Sequence, residues 1–294
     1  MPHGAAGRER LAALKALHAD VALCYDTGAY WKPLMLAIRA GIPNRVGYVH
    51  KGCSGGVTHP IGINFPQPYP AYFRDLVAQL TGMPPDGPLQ PKVYPSQDDS
   101  READALWRSF FLSGNQPVLA AFVASRQSIG VPPPRFLGEI LASLSTRTPV
   151  NILLMGGTDD EALLHFLKHQ WRLSAHIIAG RLNLRAVTAL LARCTLVFST
   201  DSGPRHLANA AGVPVAFVRN LWSRRIETGQ YLDTETDLAP EVEMISPDSE
   251  KEWRQLIGVE QTASRLAHLL AHYQRTFRPS PAFWNQCQLR SASK

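Results

Sequence analysis

The chain has 294 residues, which at roughly 100–200 residues per domain leaves room for two ordinary domains. Hydrophobic residues make up 45% of the sequence and charged residues 18%, which excludes a collagen, a coiled coil and a wholly disordered chain. The net charge of +6 suits an anionic ligand or a membrane face and is too small for a nucleic-acid-binding arm.

The cysteines and the start of the chain indicate the compartment. The four cysteines form no CxxC pair, which argues against a redox pair and a disulfide framework: Cys24, Cys53, Cys194 and Cys287. No apolar run approaches the ~18 residues that cross a bilayer, and charged residues interrupt the beginning of the chain. We therefore expect a cytoplasmic protein, and peripheral contact with the inner face of the membrane is left open.

The first third of the chain reads as the latter part of an α/β domain. The predicted elements are a helix, a strand, a helix and a strand, at residues 10–18, 20–25, 30–40 and 45–48. Residues 82–99 are rich in proline and aspartate and predict an extended connection, which a helix at 100–112 follows. We place the domain boundary after residue 112, giving domains at 1–112 and 113–294.

The rest of the chain alternates short apolar runs with amphipathic stretches. The apolar runs predict five strands, at residues 118–123, 150–155, 175–179, 195–199 and 215–218. The segments between them predict four helices, at residues 135–145, 160–169, 184–193 and 205–211. This alternation is typical of a parallel sheet that helices cover on both faces, as in a Rossmann-like domain. Two more helices are predicted, at 247–256 and 261–277.

The most informative segment is residues 195–218, TLVFSTDSGPRHLANAAGVPVAFV, where a strand ends and a helix begins. Gly203 predicts a tight turn close to a ligand, and Pro204 suits the first helical turn, where its missing N–H is no loss. A helix N-terminus at the carboxyl end of a parallel strand attracts anions, so a diphosphate is the expected ligand. Arg205 and His206 are expected to add positive charge.

The same residues have a purely structural interpretation. Asp201 and Ser202 are residue types that commonly cap a helix, and His206 can simply pack against the sheet. The residue types alone do not decide between a cap and an anion site.

The segment closely resembles a motif of glycosyltransferase family 9, the ADP-heptose:lipopolysaccharide heptosyltransferases. The family motif D-[ST]-G-P-x-H-[LI]-A is matched at Asp201, Ser202, Gly203, Pro204, His206, Leu207 and Ala208. Less specific similarity covers residues 21–48, 118–137, 152–157 and 179–192. The resemblance implies an α/β protein of the GT-B-like class, with two Rossmann-like domains whose parallel sheets face a cleft. It also implies that the C-terminal domain binds the nucleotide-sugar and that no metal or cofactor is required.

The resemblance also implies a set of donor-binding residues. They are Ser125, Arg126, Gly156, Gly157, Asp159, Thr200, Asp201, Ser202, Gly203, Pro204 and His206. Arg126 stands in the loop where the family usually has a lysine. Asp159 follows a Gly-Gly turn, where an acidic group can bind a ribose hydroxyl, although a carboxylate there can equally begin a helix.

The first domain departs from the family pattern. Family members begin with a strand, a Gly-rich turn and a Gly-Asp pair whose aspartate is taken as the catalytic base, and this sequence contains no Gly-Asp dipeptide. We therefore expect the first domain to be incomplete at its start. Asp26, after the strand predicted at 20–25, is the remaining candidate base, although an Asp before Thr-Gly is commonly a turn residue.

These features predict an inverting, metal-independent glycosyltransferase. The expected donor is ADP-heptose or another nucleotide-sugar, and the acceptor is an anionic glycan or a lipid-linked one, such as a lipopolysaccharide core. One alternative is a catalytically impaired protein of the same fold that only binds the nucleotide-sugar. A second is an NAD(P)-dependent oxidoreductase, against which the absence of GxGxxG after a strand counts.

Overall fold

The computed structural model of the protein describes residues 5–25, 31–49, 54–62, 67–83, 86–110, 116–125 and 129–276. Its contacts divide the chain into two compact units, Met1–Leu89 and Gln90–Lys294. Each unit contains a parallel sheet with helices, so the predicted α/β class is confirmed.

The first unit contains a three-stranded parallel sheet in the order β1-β2-β3. Its elements are α1 (Ala5–Ala16), β1 (Val21–Cys24), α2 (Trp31–Ala40), β2 (Asn44–Tyr48), β3 (His59–Ile61) and α3 (Tyr69–Thr81). One apolar cluster joins Cys24 to Leu34, and another joins Tyr48 to Leu76. The predicted elements are all present, whereas β3 and α3 lie where the sequence predicts none. β3 is three residues long and contains a proline, so it carries too little pattern to detect.

The second unit contains a six-stranded sheet in the order β6-β5-β4-β7-β8-β9, with every pair parallel. Its strands are β4 (Val118–Phe122), β5 (Asn151–Gly156), β6 (Ala175–Ala179), β7 (Leu196–Thr200), β8 (Val215–Val218) and β9 (Glu235–Asp237). The five predicted strands are confirmed. β9, at the edge, was not predicted because its sequence, Glu-Thr-Asp, has no apolar residue.

Helices of the second unit connect these strands and follow the last of them. They are α4 (Gln97–Ser109), α5 (Pro134–Arg147), α6 (Glu161–Gln170), α7 (Leu184–Leu191), α8 (Gly203–Ala211), α9 (Arg225–Thr228), α10 (Glu250–Leu256) and α11 (Val259–Thr276). The seven helices that the sequence predicts from residue 100 onward correspond to α4, α5, α6, α7, α8, α10 and α11.

The sheet of the second unit is buried on both faces. Along β4, Leu119 and Ala121 belong to one apolar cluster while Val118 and Ala120 belong to another, because successive side chains of a strand point to opposite faces. The first cluster includes α5 and α11, and the second includes α7 and α8. This double burial explains why the central strands carry unbroken apolar runs instead of alternating apolar and polar residues.

Helix α4 packs within the second unit. Ser96 caps it in a reciprocal capping box with Asp99, whose other carboxylate oxygen accepts a hydrogen bond from Asn183 Nδ2 at 2.8 Å. Asp104 of the same helix forms an ion pair with Arg193. The sequence assigns this helix to the end of the first domain, with a boundary after residue 112, whereas the contacts divide the chain between residues 89 and 90.

Candidate functional site

The strand order of the second sheet reverses between β4 and β7. From β4 the chain continues through β5 and β6 on one side, and it returns to β7, β8 and β9 on the other. In open parallel sheets, ligands bind beyond the carboxyl ends of the strands at such a switch point. Ser125 follows β4 and Asp201 follows β7, so the fold brings two of the predicted donor-binding segments to the same edge of the sheet.

Helix α8 begins at this edge with an open N-terminus. Within the described part of the chain, no side chain caps the helix, although Ser202 is the N-cap residue. Pro204 has no N–H, and the N–H of Arg205 donates to the Ser202 carbonyl oxygen at 3.0 Å. The N–H groups of Ser202 and Gly203 have no acceptor among the described residues. The interpretation that Asp201 and Ser202 cap this helix is therefore wrong.

Open space lies in front of Gly203. A Cβ added there would meet no other atom within 4 Å, and Gly203 is not among the glycines with positive φ. The prediction that the turn itself needs a glycine is therefore wrong. The missing side chain of Gly203 leaves the helix N-terminus uncovered on this side.

Arg205 is a buried structural residue with 1% of its surface exposed. Its Nε and Nη2 donate to the two carboxylate oxygens of Glu235 at 2.6 and 2.8 Å, and Nη1 donates to Asp201 Oδ1 at 2.9 Å. The carbonyl oxygens of Thr228 and Gly229 accept the remaining two N–H groups, which accounts for all five. The expectation that Arg205 adds charge to a bound diphosphate is therefore wrong.

Glu235, on the edge strand β9, is the acceptor around which this network forms. Besides Arg205, it accepts hydrogen bonds from Asn209 Nδ2 at 2.8 Å and from the Tyr231 N–H at 2.8 Å. Burial alone would raise the pKa of Glu235, but the hydrogen bonds from Arg205 and Asn209 lower it, so the group is a carboxylate. Sequence analysis missed Glu235. One signal could have pointed to such a carboxylate. Arg205 stands in a helix of small residues between buried strands, and a buried charge needs a partner of opposite charge.

His206 follows Gly203 by three residues, so the two lie on the same face of α8. Its Nδ1 is 2.8 Å from the Tyr231 hydroxyl, and the two rings pack with their centroids 5.9 Å apart. Burial lowers the pKa of His206 and nearby Arg205 lowers it further, so the ring is neutral near neutral pH. His206 is therefore a neutral ring and does not carry the positive charge that the sequence analysis expected.

The side chains before α8 contact one another and Arg205. Asp201 Oδ1 accepts the bond from Arg205, and burial raises the pKa of Asp201 while Arg205 opposes the shift. Thr200 Oγ1 lies 3.3 Å from Ser202 Oγ, which in turn donates to the Thr200 carbonyl oxygen at 3.3 Å. These contacts hold the turn between β7 and α8 in shape.

The Gly-Gly turn after β5 is closed by Asp160. The N–H of Gly157 donates to Asp160 Oδ2 at 2.8 Å, and a Cβ on Gly156 would lie 2.8 Å from the same oxygen. The close approach of Asp160 therefore requires a glycine at position 156. Asp160 is the one of the two carboxylates that holds the start of the helical segment. Asp159 is exposed beside it, and its contact with a ribose hydroxyl stays a prediction.

Gly130 fixes the loop after β4 against the loop after β8. It has a φ of +70°, and an added Cβ would lie 2.3 Å from Asn220 Oδ1 and 2.5 Å from the Trp222 nitrogen. Its carbonyl oxygen also accepts a hydrogen bond from the Leu221 N–H at 2.8 Å. These contacts join the loop that follows Ser125 to the loop after β8.

Gly130→Ala is expected to lower the free energy of unfolding by about 2 kcal/mol or more, because it adds overpacking to left-handed backbone strain. The matched control is Gly212→Ala, where φ is +69° but an added Cβ meets nothing, so strain alone applies. Urea denaturation measures both variants. Equal losses would show that the approach of residues 220–222 imposes no constraint.

Two predicted site residues, Asp26 and Arg126, lie outside the described residues. Of the two arginines in the loop after β8, Arg224 is exposed and Arg225 Nη1 pairs with Glu241 at 2.5 Å. Across the described ranges, no group of three or more His, Cys, Asp or Glu side chains is arranged to hold a metal ion. The described helices include none that combines the length and the apolar character needed to cross a membrane.

Comparisons with known proteins show the family and the fold of the chain. A family model described as glycosyltransferase family 9 (heptosyltransferase) matches residues 7–217. A segment of 38 residues is 53% identical to the lipopolysaccharide core heptosyltransferase OpsX of Haemophilus influenzae. That match spans 13% of this chain and 11% of the length of OpsX.

Solved structures of the same family share the fold. A glycosyl transferase family 9 protein from Veillonella parvula is 16% identical, with a TM-score of 0.67 over 90% of this chain and 78% of that one. The E. coli ADP-heptose lps heptosyltransferase II is 18% identical, with a TM-score of 0.66 over 91% of this chain and 82% of that one. The expected GT-B-like class is thereby confirmed. Because the family model covers more than half of the sequence, this chain belongs to glycosyltransferase family 9, the heptosyltransferase family.

Proposed function

We propose that the chain transfers a heptose from ADP-heptose to a hydroxyl of a lipopolysaccharide core or a related glycan, inverting the anomeric carbon without a metal ion or cofactor. Family membership and the similarity to OpsX and to the E. coli heptosyltransferase II support the reaction class. One observation carries the proposal. The uncapped N-terminus of α8 opens at the switch point of the sheet, with free space before Gly203.

The chemistry needs a group that stabilises negative charge on the departing diphosphate. The transition state resembles an oxocarbenium ion, and charge builds on the leaving group as the glycosidic bond breaks. The N–H groups of Ser202 and Gly203 and the neutral ring of His206 are preorganised donors for that charge. They need no reorientation during the reaction, because the Arg205 network holds the helix in place.

The remaining predicted residues complete the donor site in this proposal. Ser125 and Arg126 contact the phosphates from the loop after β4, and Thr200, Asp201 and Pro204 shape the turn. The turn at Gly156 and Gly157 brings Asp159 to the ribose. A solved complex with ADP tests each of these placements.

The acceptor and the base belong to the other unit in this proposal. An anionic or lipid-linked acceptor binds there, and Asp26 removes the proton from the attacking hydroxyl. The reaction takes place in the cytoplasm, with the acceptor presented at the inner face of the membrane.

The deciding experiment measures ADP release from ADP-heptose with a lipopolysaccharide-core acceptor, together with ADP binding by calorimetry. Transfer predicts both signals. ADP binding without release would identify a nucleotide-sugar-binding protein instead, an outcome favoured by the absence of a Gly-Asp pair in the sequence. If the protein neither binds ADP nor releases it from ADP-heptose, the proposal is wrong.

A graded pair of substitutions at Gly203 tests the location of the diphosphate. Gly203→Leu fills the open space and is expected to weaken ADP binding at least about 10-fold, or about 1.4 kcal/mol, while Gly203→Ala weakens it less. Because an added Cβ meets no atom outside its neighbours and its own helix, Gly203→Ala should lose little stability, and urea denaturation checks the stability of both variants. Unchanged ADP affinity in Gly203→Leu would place the nucleotide elsewhere.

A further inference from the structure

A continuous line of hydrogen bonds joins Glu235 to His206 through two side chains that the sequence analysis did not single out. Asn209 Nδ2 donates to Glu235 Oε1 at 2.8 Å and to the Tyr231 hydroxyl at 2.7 Å. The Tyr231 hydroxyl lies 2.8 Å from His206 Nδ1. We call Glu235, Asn209, Tyr231 and His206 the Glu235 relay.

Glu235 determines which way the Asn209 amide faces. Arg205 donates two hydrogen bonds to Glu235, so the group is an ionised carboxylate and can only accept. The atom of Asn209 beside it must therefore be the amide nitrogen, because an oxygen there would set two acceptors 2.8 Å apart. In this orientation the buried amide oxygen has no donor among the described residues.

The direction of the next bond follows from the amide. Tyr231 already accepts a hydrogen from Asn209, and its own hydrogen needs an acceptor. Within the described ranges, the acceptor recorded for that hydroxyl is His206 Nδ1. Burial raises the pKa of Tyr231 to about 12, so the phenol keeps the hydrogen that it donates. Because Nδ1 accepts, the hydrogen of the neutral imidazole lies on Nε2.

We propose that the Glu235 relay fixes the tautomer of His206, so that Asn209 and Tyr231 are positioning residues of the donor site. The inference rests on the proposed function, because it assigns the fixed Nε2–H of His206 to the departing diphosphate. The opposite tautomer would direct the hydrogen back to Tyr231 and leave Nε2 as an acceptor, which repels an anion. The relay thus keeps a neutral donor on the face of α8 where Gly203 lies.

The tautomer is read directly from the ring nitrogens by NMR of protein labelled with nitrogen-15 at its histidines. A nitrogen that carries a hydrogen and one that does not give well-separated signals. The chain has ten histidines, and the signals that disappear in His206→Gln identify this ring. Near neutral pH and without any ligand, the expected result is a hydrogen on Nε2. A hydrogen on Nδ1 would overturn the proposal.

Asn209→Asp reverses the relay. The new carboxyl group takes up one proton and donates it to Glu235, which lies 2.8 Å from the replaced nitrogen. The same carboxyl oxygen accepts the hydrogen of Tyr231, so the tyrosine oxygen must then accept from His206 Nδ1. The expected result is transfer of the ring hydrogen to Nδ1. An unchanged ring in a folded variant would contradict the relay.

A second variant keeps the proposal testable if Asn209→Asp does not fold. Tyr231→Phe removes the hydroxyl, so the two tautomers are expected to coexist where the native protein shows one. The matched control is Tyr273→Phe, the same change in the partly buried tyrosine of α11, which should leave the His206 signals unchanged. A single unaltered tautomer in Tyr231→Phe would contradict the proposal.

Transfer kinetics distinguish failure of the relay from failure of the proposed function. Asn209→Asp is expected to lower kcat about 100-fold or more with little change in KM, because the lost donor acts mainly on charge that develops in the transition state. If the native protein neither binds ADP nor releases it from ADP-heptose, the proposed function fails while the NMR result still stands. If the native protein is active and Asn209→Asp reverses the tautomer without lowering kcat, the relay has no role in the transfer reaction.

Discussion

Glu235→Ala is expected to lower the free energy of unfolding of the second unit by about 3–5 kcal/mol, as removal of one partner from a buried ion pair usually does. The side chains of Arg205 and Glu235 are 1% and 0% exposed, so the remaining guanidinium could not recover its lost bonds from water. Asn209 and the Tyr231 N–H would lose the same acceptor. Urea denaturation followed by circular dichroism measures the change.

The matched control is Glu241→Ala, which breaks the ion pair with Arg225. Those side chains are 82% and 52% exposed, so the expected loss is about 1 kcal/mol or less. A double variant, Arg205→Met with Glu235→Leu, should recover much of the loss, because apolar replacement of a buried pair is often neutral. Equal losses for Glu235→Ala and Glu241→Ala would mean that the buried network does not stabilise the fold.

His206→Ala is expected to lower kcat for sugar transfer by about 10²–10³-fold, the effect of removing one preorganised donor from a developing negative charge. The ADP affinity should fall much less, because the N–H groups of Ser202 and Gly203 remain. His206→Gln retains an N–H group and should recover part of the loss. Coupled ADP release gives kcat and KM, and calorimetry gives the ADP affinity.

His165→Ala is the matched control for this substitution. His165 is exposed on α6, away from the carboxyl edge of β7, and its removal should leave both quantities unchanged. A His206→Ala protein with native kcat would remove His206 from the proposed mechanism. An equal loss in both variants would indicate a general effect on folding.

The five central strands of the second unit were predictable because each contains an unbroken run of at least three apolar residues. β4 and β8 are apolar throughout, and burial on both faces is the physical cause. β9 was not predictable, since Glu235 and Asp237 are poor strand formers that the sheet edge accepts only because β8 pairs with them. The packing of α4 in the second unit could not be predicted either, because its contacts with Asn183 and Arg193 join residues far apart in the sequence.

The motif from Asp201 to His206 predicts an anion site, which stays a prediction, whereas the contacts of each side chain could not be predicted. Arg205 looked like a free cation in the sequence and is instead enclosed by the edge strand and the loop before it. Burial of a charge depends on which segments cover it, and that coverage leaves no local pattern. The same holds for His206, whose neutral state follows from burial beside Arg205.

The sequence by itself determined the α/β class, the five central strands of the second unit and the helix start at residues 201–206, because local periodicity and turn chemistry encode them. Only the tertiary structure decided that the helix end is uncapped, that Arg205 is fully paired and that the Tyr231 hydroxyl lies beside the ring of His206. The reason is distance along the chain. Glu235 lies 30 residues beyond Arg205, and pairing of β9 with β8 is what brings the carboxylate to the guanidinium.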